Sequence, residues 1–215
     1  MKFKPNSCFL PNREHYRGHV VDVDFTEELN KSNFNFDELL NLRSKFGVID
    51  GDLSQPELRQ VKKLNEVDSL SELDSFLSHD YLRSITLNML ENKAIYKAFS
   101  GIYPCYTFPN RSYSWFFEKY VQFVSTVCLD AKGFELSKHC DNHWVIGSYV
   151  INLKDNKDST KFWDMHNSSE LMYEGSKEAG KGVFFINSDW TRHSIEITEE
   201  MRGCLIINLM LNLNI

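Results

Sequence analysis

Three side chains from two separated stretches of this sequence have the types and spacing to hold a divalent metal ion. His139 and Asp141 flank Cys140. On an extended chain alternate side chains share a face. The imidazole and the carboxylate would therefore project together, with Cys140 on the opposite side. One further histidine completes a two-histidine, one-carboxylate set, which leaves the other face of an octahedral iron open to substrates. His193 is the candidate, since it follows the turn-like stretch 187–191 (NSDWT) and opens an apolar run, 193–198 (HSIEIT). His143 could share a face with His139 and Asp141, but the turn residues around Asn142 end the strand before it. The remaining histidines, His15, His19, His79 and His166, read as surface or hydrogen-bonded structural groups. An H-x-D triplet is common by chance, so its weight comes from what accompanies it.

What accompanies it is Arg202, nine residues beyond His193 and just past a second turn, 198–201 (TEEM). A hairpin of the two runs would place His193 and Arg202 on adjacent strands facing one interior. Cys204, Ile206 and Asn208 would follow on the face of Arg202. A guanidinium in apolar surroundings is costly unless an anion pairs with it. Its planar fork fits a carboxylate at two points, so the distal carboxylate of a dicarboxylic cosubstrate could sit there.

These residues need a scaffold, and the chain supplies one in two unequal parts. From about residue 120, short apolar runs alternate with turn residues: 120–129, 134–141, 143–153, 181–187, 193–198 and 202–211. Each has the length of an ordinary strand. Before residue 120 the pattern is mostly helical. The segment 36–47 has helical spacing and ends on Gly47, a plausible C-cap, and 69–99 repeats leucines at three- and four-residue steps with a break near His79. One alternating stretch, 19–25 (HVVDVDF), reads as a strand. The expected fold class is α+β, with helices buttressing a β-sandwich or jelly roll. A single domain over 1–215 is expected, with 1–119 as a strand and helical support region and 120–215 as the core. The aromatic run 106–120 reads equally as part of a substrate lid or as an edge packed on the core. Trp144, Trp163 and Trp190 are candidates for a cavity mouth.

Composition bounds the function. With 215 residues the chain can bury a full core without disulfide staples. A net charge of −6 weighs against a nucleic-acid surface, which is usually basic. Five cysteines, an odd number with no C-x-x-C spacing, argue against a disulfide framework or a thiolate zinc site. No run is long and apolar enough for a signal peptide or a bilayer span, so a reducing cytoplasmic setting is the expectation, without a membrane partner. In that setting the sequons at Asn110 and Asn167 carry no meaning.

From about Val121 to Leu213 the sequence resembles the double-stranded β-helix core of the iron(II)/2-oxoglutarate dioxygenases, and most of all their prolyl 4-hydroxylase branch. The matching features are Gly133 before a strand, His139-Cys140-Asp141-Asn142, the strand ending YVINL, Gly182 before a turn, His193, and Arg202 at the family's spacing. The resemblance implies a jelly-roll, cupin-like core with His139, Asp141 and His193 as iron(II) ligands. Arg202 would pair with the C5 carboxylate of 2-oxoglutarate. Asn152 stands where prolyl hydroxylases often have a tyrosine that helps hold that carboxylate. Leu129 stands at another such tyrosine position, and Cys204 where some relatives have serine. The implied reaction consumes dioxygen and 2-oxoglutarate and hydroxylates an aliphatic C–H bond, of a prolyl residue or another amino acid in a peptide or small molecule. Asp141 favours hydroxylation over halogenation, because related halogenases have a small residue there. Two other readings stay open: a non-catalytic jelly-roll binding module, and a cupin-type metalloenzyme that does not use 2-oxoglutarate.

Overall fold

A computed structural model describes residues 2–5, 18–41, 58–63, 77–103, 112–167 and 169–212. In chain order the strands and helices are β1 (Lys2–Pro5), β2 (Val20–Asp24), α1 (Thr26–Lys31), α2 (Phe36–Asn41), β3 (Arg59–Lys63), α3 (His79–Leu90), α4 (Lys93–Ile102) and α5 (Tyr113–Tyr120). They continue with β4 (Val121–Asp130), β5 (Glu135–His139), β6 (Val145–Asn152), β7 (Lys161–Trp163), β8 (Leu171–Glu174), β9 (Lys181–Ile186), β10 (His193–Glu196) and β11 (Arg202–Leu211).

The strands form two sheets, both antiparallel. The larger has the order β1-β2-β9-β6-β11-β4-β3 and the smaller β5-β10-β7-β8. This is the jelly-roll arrangement expected from the sequence, the core of a double-stranded β-helix. Helices pack on the outer face of the larger sheet, so that sheet is buried on both sides. The consequence is plain in β6, every residue of which is buried. Along β11 the alternation assigns Leu205, Ile207 and Leu209 to the helical side, where they join Leu82, Met89, Phe99 and Phe117. Cys204 and Ile206 fall on the inner side, with Cys128, Val150, Phe162 and Phe185. At roughly 1.5–3 kcal/mol per fully buried large apolar side chain, the two clusters supply most of the driving force for this layering.

The helices begin where polar caps allow. Ser78, Asn92 and Ser112 each accept a hydrogen bond from the first turn of α3, α4 and α5. The break in the long helical stretch therefore falls in two places: α3 starts at His79, and Asn92 separates it from α4. The aromatic run before residue 120 is core in its described part, since Phe116 and Phe117 of α5 are fully buried. Gly47, and the start of the leucine-rich stretch, lie outside the described residues. Thr86 of α3 hydrogen-bonds the hydroxyl of Tyr149, which lets a tyrosine sit at 0% exposure between helix and sheet.

All six runs read as strands after residue 120 are strands. Four short strands were not anticipated, the four-residue β1 among them. β3 has one buried residue in five, Val61, and β7 and β8 are three and four residues long. The first part of the chain also does more than support the core: β2 pairs with β9 and β3 with β4, both within the larger sheet.

One expectation is overturned. His193 and Arg202 do not share a hairpin. β10 has β5 and β7 on its two edges, whereas β11 has β4 and β6. With both edges of each strand occupied, the stretch 197–201 carries the chain from the smaller sheet to the larger. The two residues face each other's sheet across the interior.

Candidate metal centre and anion pocket

The smaller sheet sets two histidines side by side. His139 ends β5, His193 begins β10, and the two are directly opposed in the antiparallel register. Their ring centres lie 4.3 Å apart. Each ring is fixed by its Nδ1, 2.8 Å from the Ser137 carbonyl in His139 and 3.0 Å from the Thr191 carbonyl in His193. A carbonyl can only accept, so each Nδ1 carries the hydrogen and each Nε2 keeps its lone pair. Asp141 Oδ1 lies 3.7 Å from Nε2 of His139 and 3.5 Å from Nε2 of His193. One candidate ligand atom from each residue falls within 4.8 Å of the others. Among the described residues no other group of His, Cys, Asp and Glu converges in this way.

Strand alternation alone does not aim Asp141, because β5 stops at His139. The aim comes from Asn187. Its side-chain oxygen accepts from the Asp141 backbone N–H at 3.1 Å, and its amide donates to the carbonyls of Asp141, Asn142 and Val145 at 3.1, 3.1 and 2.7 Å. The turn that leads from β5 to β6 is thus pinned by one buried residue, itself held by a 2.9 Å hydrogen bond from Tyr103 to its carbonyl. Asn187→Ala is expected to weaken metal binding by about 10- to 100-fold, the usual cost of losing a group that orients a ligand. Competition with a chromophoric chelator would measure it, with unchanged far-UV circular dichroism as the control.

The electrostatics suit a cation. Burial would raise the Asp141 pKa, but the neighbouring His139 and His193 imidazoles and a hydrogen bond from Ser148 outweigh it and hold the carboxyl below the usual carboxylate range. Burial opposes the charged form of His139, yet Asp141 and the Ser137 carbonyl more than compensate, so its pKa is raised. Both effects describe a site that attracts positive charge.

A cavity of about 430 Å³ runs from this triad between the two sheets. Val150, Phe185 and Ile206 line its apolar wall, while Thr160, Arg59 and Arg202 also reach it. A concavity of about 520 Å³, lined by Asp24, Glu27, Glu28, Asp155 and Glu178 among others, contains none of the predicted site residues.

Arg202 is 3% exposed. Its Nη1 lies 3.3 Å from Asp130 Oδ2 and its Nη2 3.1 Å from Thr160 Oγ1. Its Nε is buried without a hydrogen-bond partner. The sequence alone leaves the anion for this guanidinium to a ligand. The structure adds an internal one, Asp130, which the sequence presents as part of the turn 129–133.

Three expectations about neighbouring residues change. Asn152 lies on the inner face, opposite Cys204, but it does not line the cavity. Its amide donates to the carbonyls of Ser176 and Glu178, and its oxygen accepts from Asn156. Holding that turn leaves it nothing to offer a carboxylate. Leu129 faces the helices, and its neighbours Cys128 and Asp130 take the inner side. His143 is exposed, its ring tilted against that of Trp144, and it is not among the residues that converge at the triad. None of the three tryptophans lines the cavity. Trp144 is 41% exposed, Trp163 donates to Ser194, and Trp190 lies against His19 and His166. Missed in the sequence were Arg59, Asp130, Thr160 and Asn187. Only Asn187, set at the head of a turn, left a local trace.

No family model matches the sequence, and no curated protein matches it. Solved structures do. A prolyl-4-hydroxylase from Pseudomonas putida superposes with a TM-score of 0.58 at 11% identity, covering 91% of this chain and 94% of that one. A prolyl hydroxylase from Trichoplax adhaerens, in complex with a hypoxia inducible factor oxygen degradation domain peptide fragment, gives 0.57 at 12%, covering 90% and 84%. The non-heme alpha ketoglutarate dependent epimerase SnoN from nogalamycin biosynthesis gives 0.54 at 12%, covering 92% and 79%. At these identities the three share a fold with this chain.

Proposed function

We propose that the protein is an iron(II)- and 2-oxoglutarate-dependent oxygenase that hydroxylates an aliphatic C–H bond, of a prolyl residue or another amino acid. One observation carries the proposal. Two Nε2 lone pairs and a carboxylate meet in a cavity that is also lined by a buried guanidinium with an unused N–H.

The donor set fits the metal: two imidazoles and one carboxylate suit iron(II) and leave coordination positions free. His139, Asp141 and His193 are the proposed ligands, and Arg202 with Thr160 is the proposed seat of the distal carboxylate. When bound, iron and 2-oxoglutarate would supply the oxidative chemistry, in which dioxygen is consumed, the cosubstrate is decarboxylated to succinate and the C–H bond is hydroxylated. The chain's own part is to orient these groups and to keep water out, with Val150, Phe185 and Ile206 as the dry wall. The peptide bound to the Trichoplax neighbour supports a peptide or small-molecule substrate. The catalytic core is assigned to 120–215 within a single domain. No helix among the described residues is long and apolar enough to cross a membrane. Cys128, Cys140 and Cys204 are free thiols, in keeping with the cytoplasmic setting we assign.

A second reading has one observation in its favour. Asp130 already gives Arg202 an anionic partner, as a cupin-type metalloenzyme without a dicarboxylate would require. Anaerobic iron(II) titration with and without 2-oxoglutarate decides between them. The oxygenase is expected to develop a weak visible charge-transfer band only when both are present, and a melting temperature raised further by the pair than by iron alone. Iron binding with no response to 2-oxoglutarate would leave the metalloenzyme.

A further inference from the structure

Arg59, Asp130 and Arg202 lie in one row across three adjacent strands of the larger sheet. In the register, Asp130 of β4 is opposite Arg59 of β3 on one side and Arg202 of β11 on the other. Arg59 grips both oxygens of Asp130, with Nε 2.6 Å from Oδ1 and Nη2 3.0 Å from Oδ2. Arg202 has only the longer, single contact of 3.3 Å to Oδ2. Asp130 has 0% side-chain exposure, Arg202 3% and Arg59 14%, and both arginines line the cavity. Arg59 is also seated over the Phe134 ring, 4.2 Å from its centre, which holds the guanidinium in place.

Two fixed positive charges thus share one carboxylate. An isolated Arg202–Asp130 pair would be neutral and would offer an incoming carboxylate nothing but desolvation. With Arg59 bound to Asp130 at two points, the row carries one surplus positive charge. Arg202 keeps a buried N–H, on Nε, without a partner.

We infer that Arg59 is a positioning residue for the anion pocket: it takes up Asp130 so that Arg202 remains free to bind a single carboxylate. This rests on the oxygenase reading and extends it to a residue from the N-terminal part of the chain. It also sets the chemical class of the ligand. A surplus of one charge suits a carboxylate end group better than a doubly charged phosphate monoester.

The test is binding of 2-oxoglutarate to the manganese(II)-loaded protein under argon, read by calorimetry and melting temperature so that turnover plays no part. Arg59→Met is expected to weaken binding by roughly tenfold or more, as Asp130 turns to neutralise Arg202. Adding Asp130→Asn to it restores the surplus charge and is expected to bring binding back to within about threefold of wild type. Asp130→Asn alone binds at least as tightly as wild type. Should Arg59→Met fail to fold, Arg59→Gln, which keeps a hydrogen bond to Asp130 but drops the charge, takes its place with the same expectation. Wild-type affinity in the single Arg59 variant overturns the inference, as does a double variant no tighter than the single one. A wild-type protein that takes manganese but not 2-oxoglutarate overturns the oxygenase reading, and this inference with it.

Discussion

Asp141→Ala is expected to reduce iron-dependent succinate formation to background while the protein stays folded. The two imidazoles would remain, but the only anionic ligand in the set would be gone, and with it the charge that offsets a divalent cation. The effect on the fold should be small by comparison. Asp141 is partly exposed, and its loss removes a hydrogen bond from Ser148 and the close approach of the His139 and His193 imidazoles. At about 1–2 kcal/mol for such groups, the melting temperature of the metal-free protein should fall by only about 2–8 °C. The sign of the pKa shift gives a check. A depressed carboxyl stabilises the fold above its unfolded-state pKa and loses that contribution as the pH falls through the folded value. Wild type and variant should therefore differ in melting temperature at neutral pH and converge in acid. Succinate production persisting in Asp141→Ala would mean that the metal is held elsewhere.

Arg202→Leu should separate cosubstrate from metal. Truncating one partner of a buried charge pair costs about 2–5 kcal/mol, so the 2-oxoglutarate concentration needed for half-maximal decarboxylation should rise by at least about 30-fold. Iron affinity measured without 2-oxoglutarate should change little. The variant should still fold, because Asp130 keeps its two-point contact with Arg59. A variant with an unchanged 2-oxoglutarate requirement would assign the carboxylate to another group.

The parts of this molecule that were legible in the sequence are those fixed over short distances. Six strands announce themselves because each packs an apolar run between turns. The triad stands out because two of its members are two residues apart and the third follows a turn. β3 is hidden because its sequence, RQVKK, buries only Val61 and offers no alternation to read. The proposed anion pocket is hidden for a different reason. Arg59 and Asp130 are 71 residues apart, and Arg202 and Thr160 are 42 apart. Their partnership exists only in the sheet register. Asp130 was further disguised by Ala131 and Gly133 beside it, which make it look like a turn residue, although it ends a ten-residue strand. The expected hairpin of His193 and Arg202 failed for a related reason. A short connection between two strands fixes their separation along the chain but not which sheet each will join.

That division between sheets has a mechanical meaning. Both imidazoles belong to the four-stranded layer, and the guanidinium belongs to the seven-stranded one. A dicarboxylate chelated at one end and paired at the other would act as a rivet through the sandwich. Its span would gauge the gap between the layers, so a shorter or longer diacid would have to move one layer relative to the other before both ends could engage.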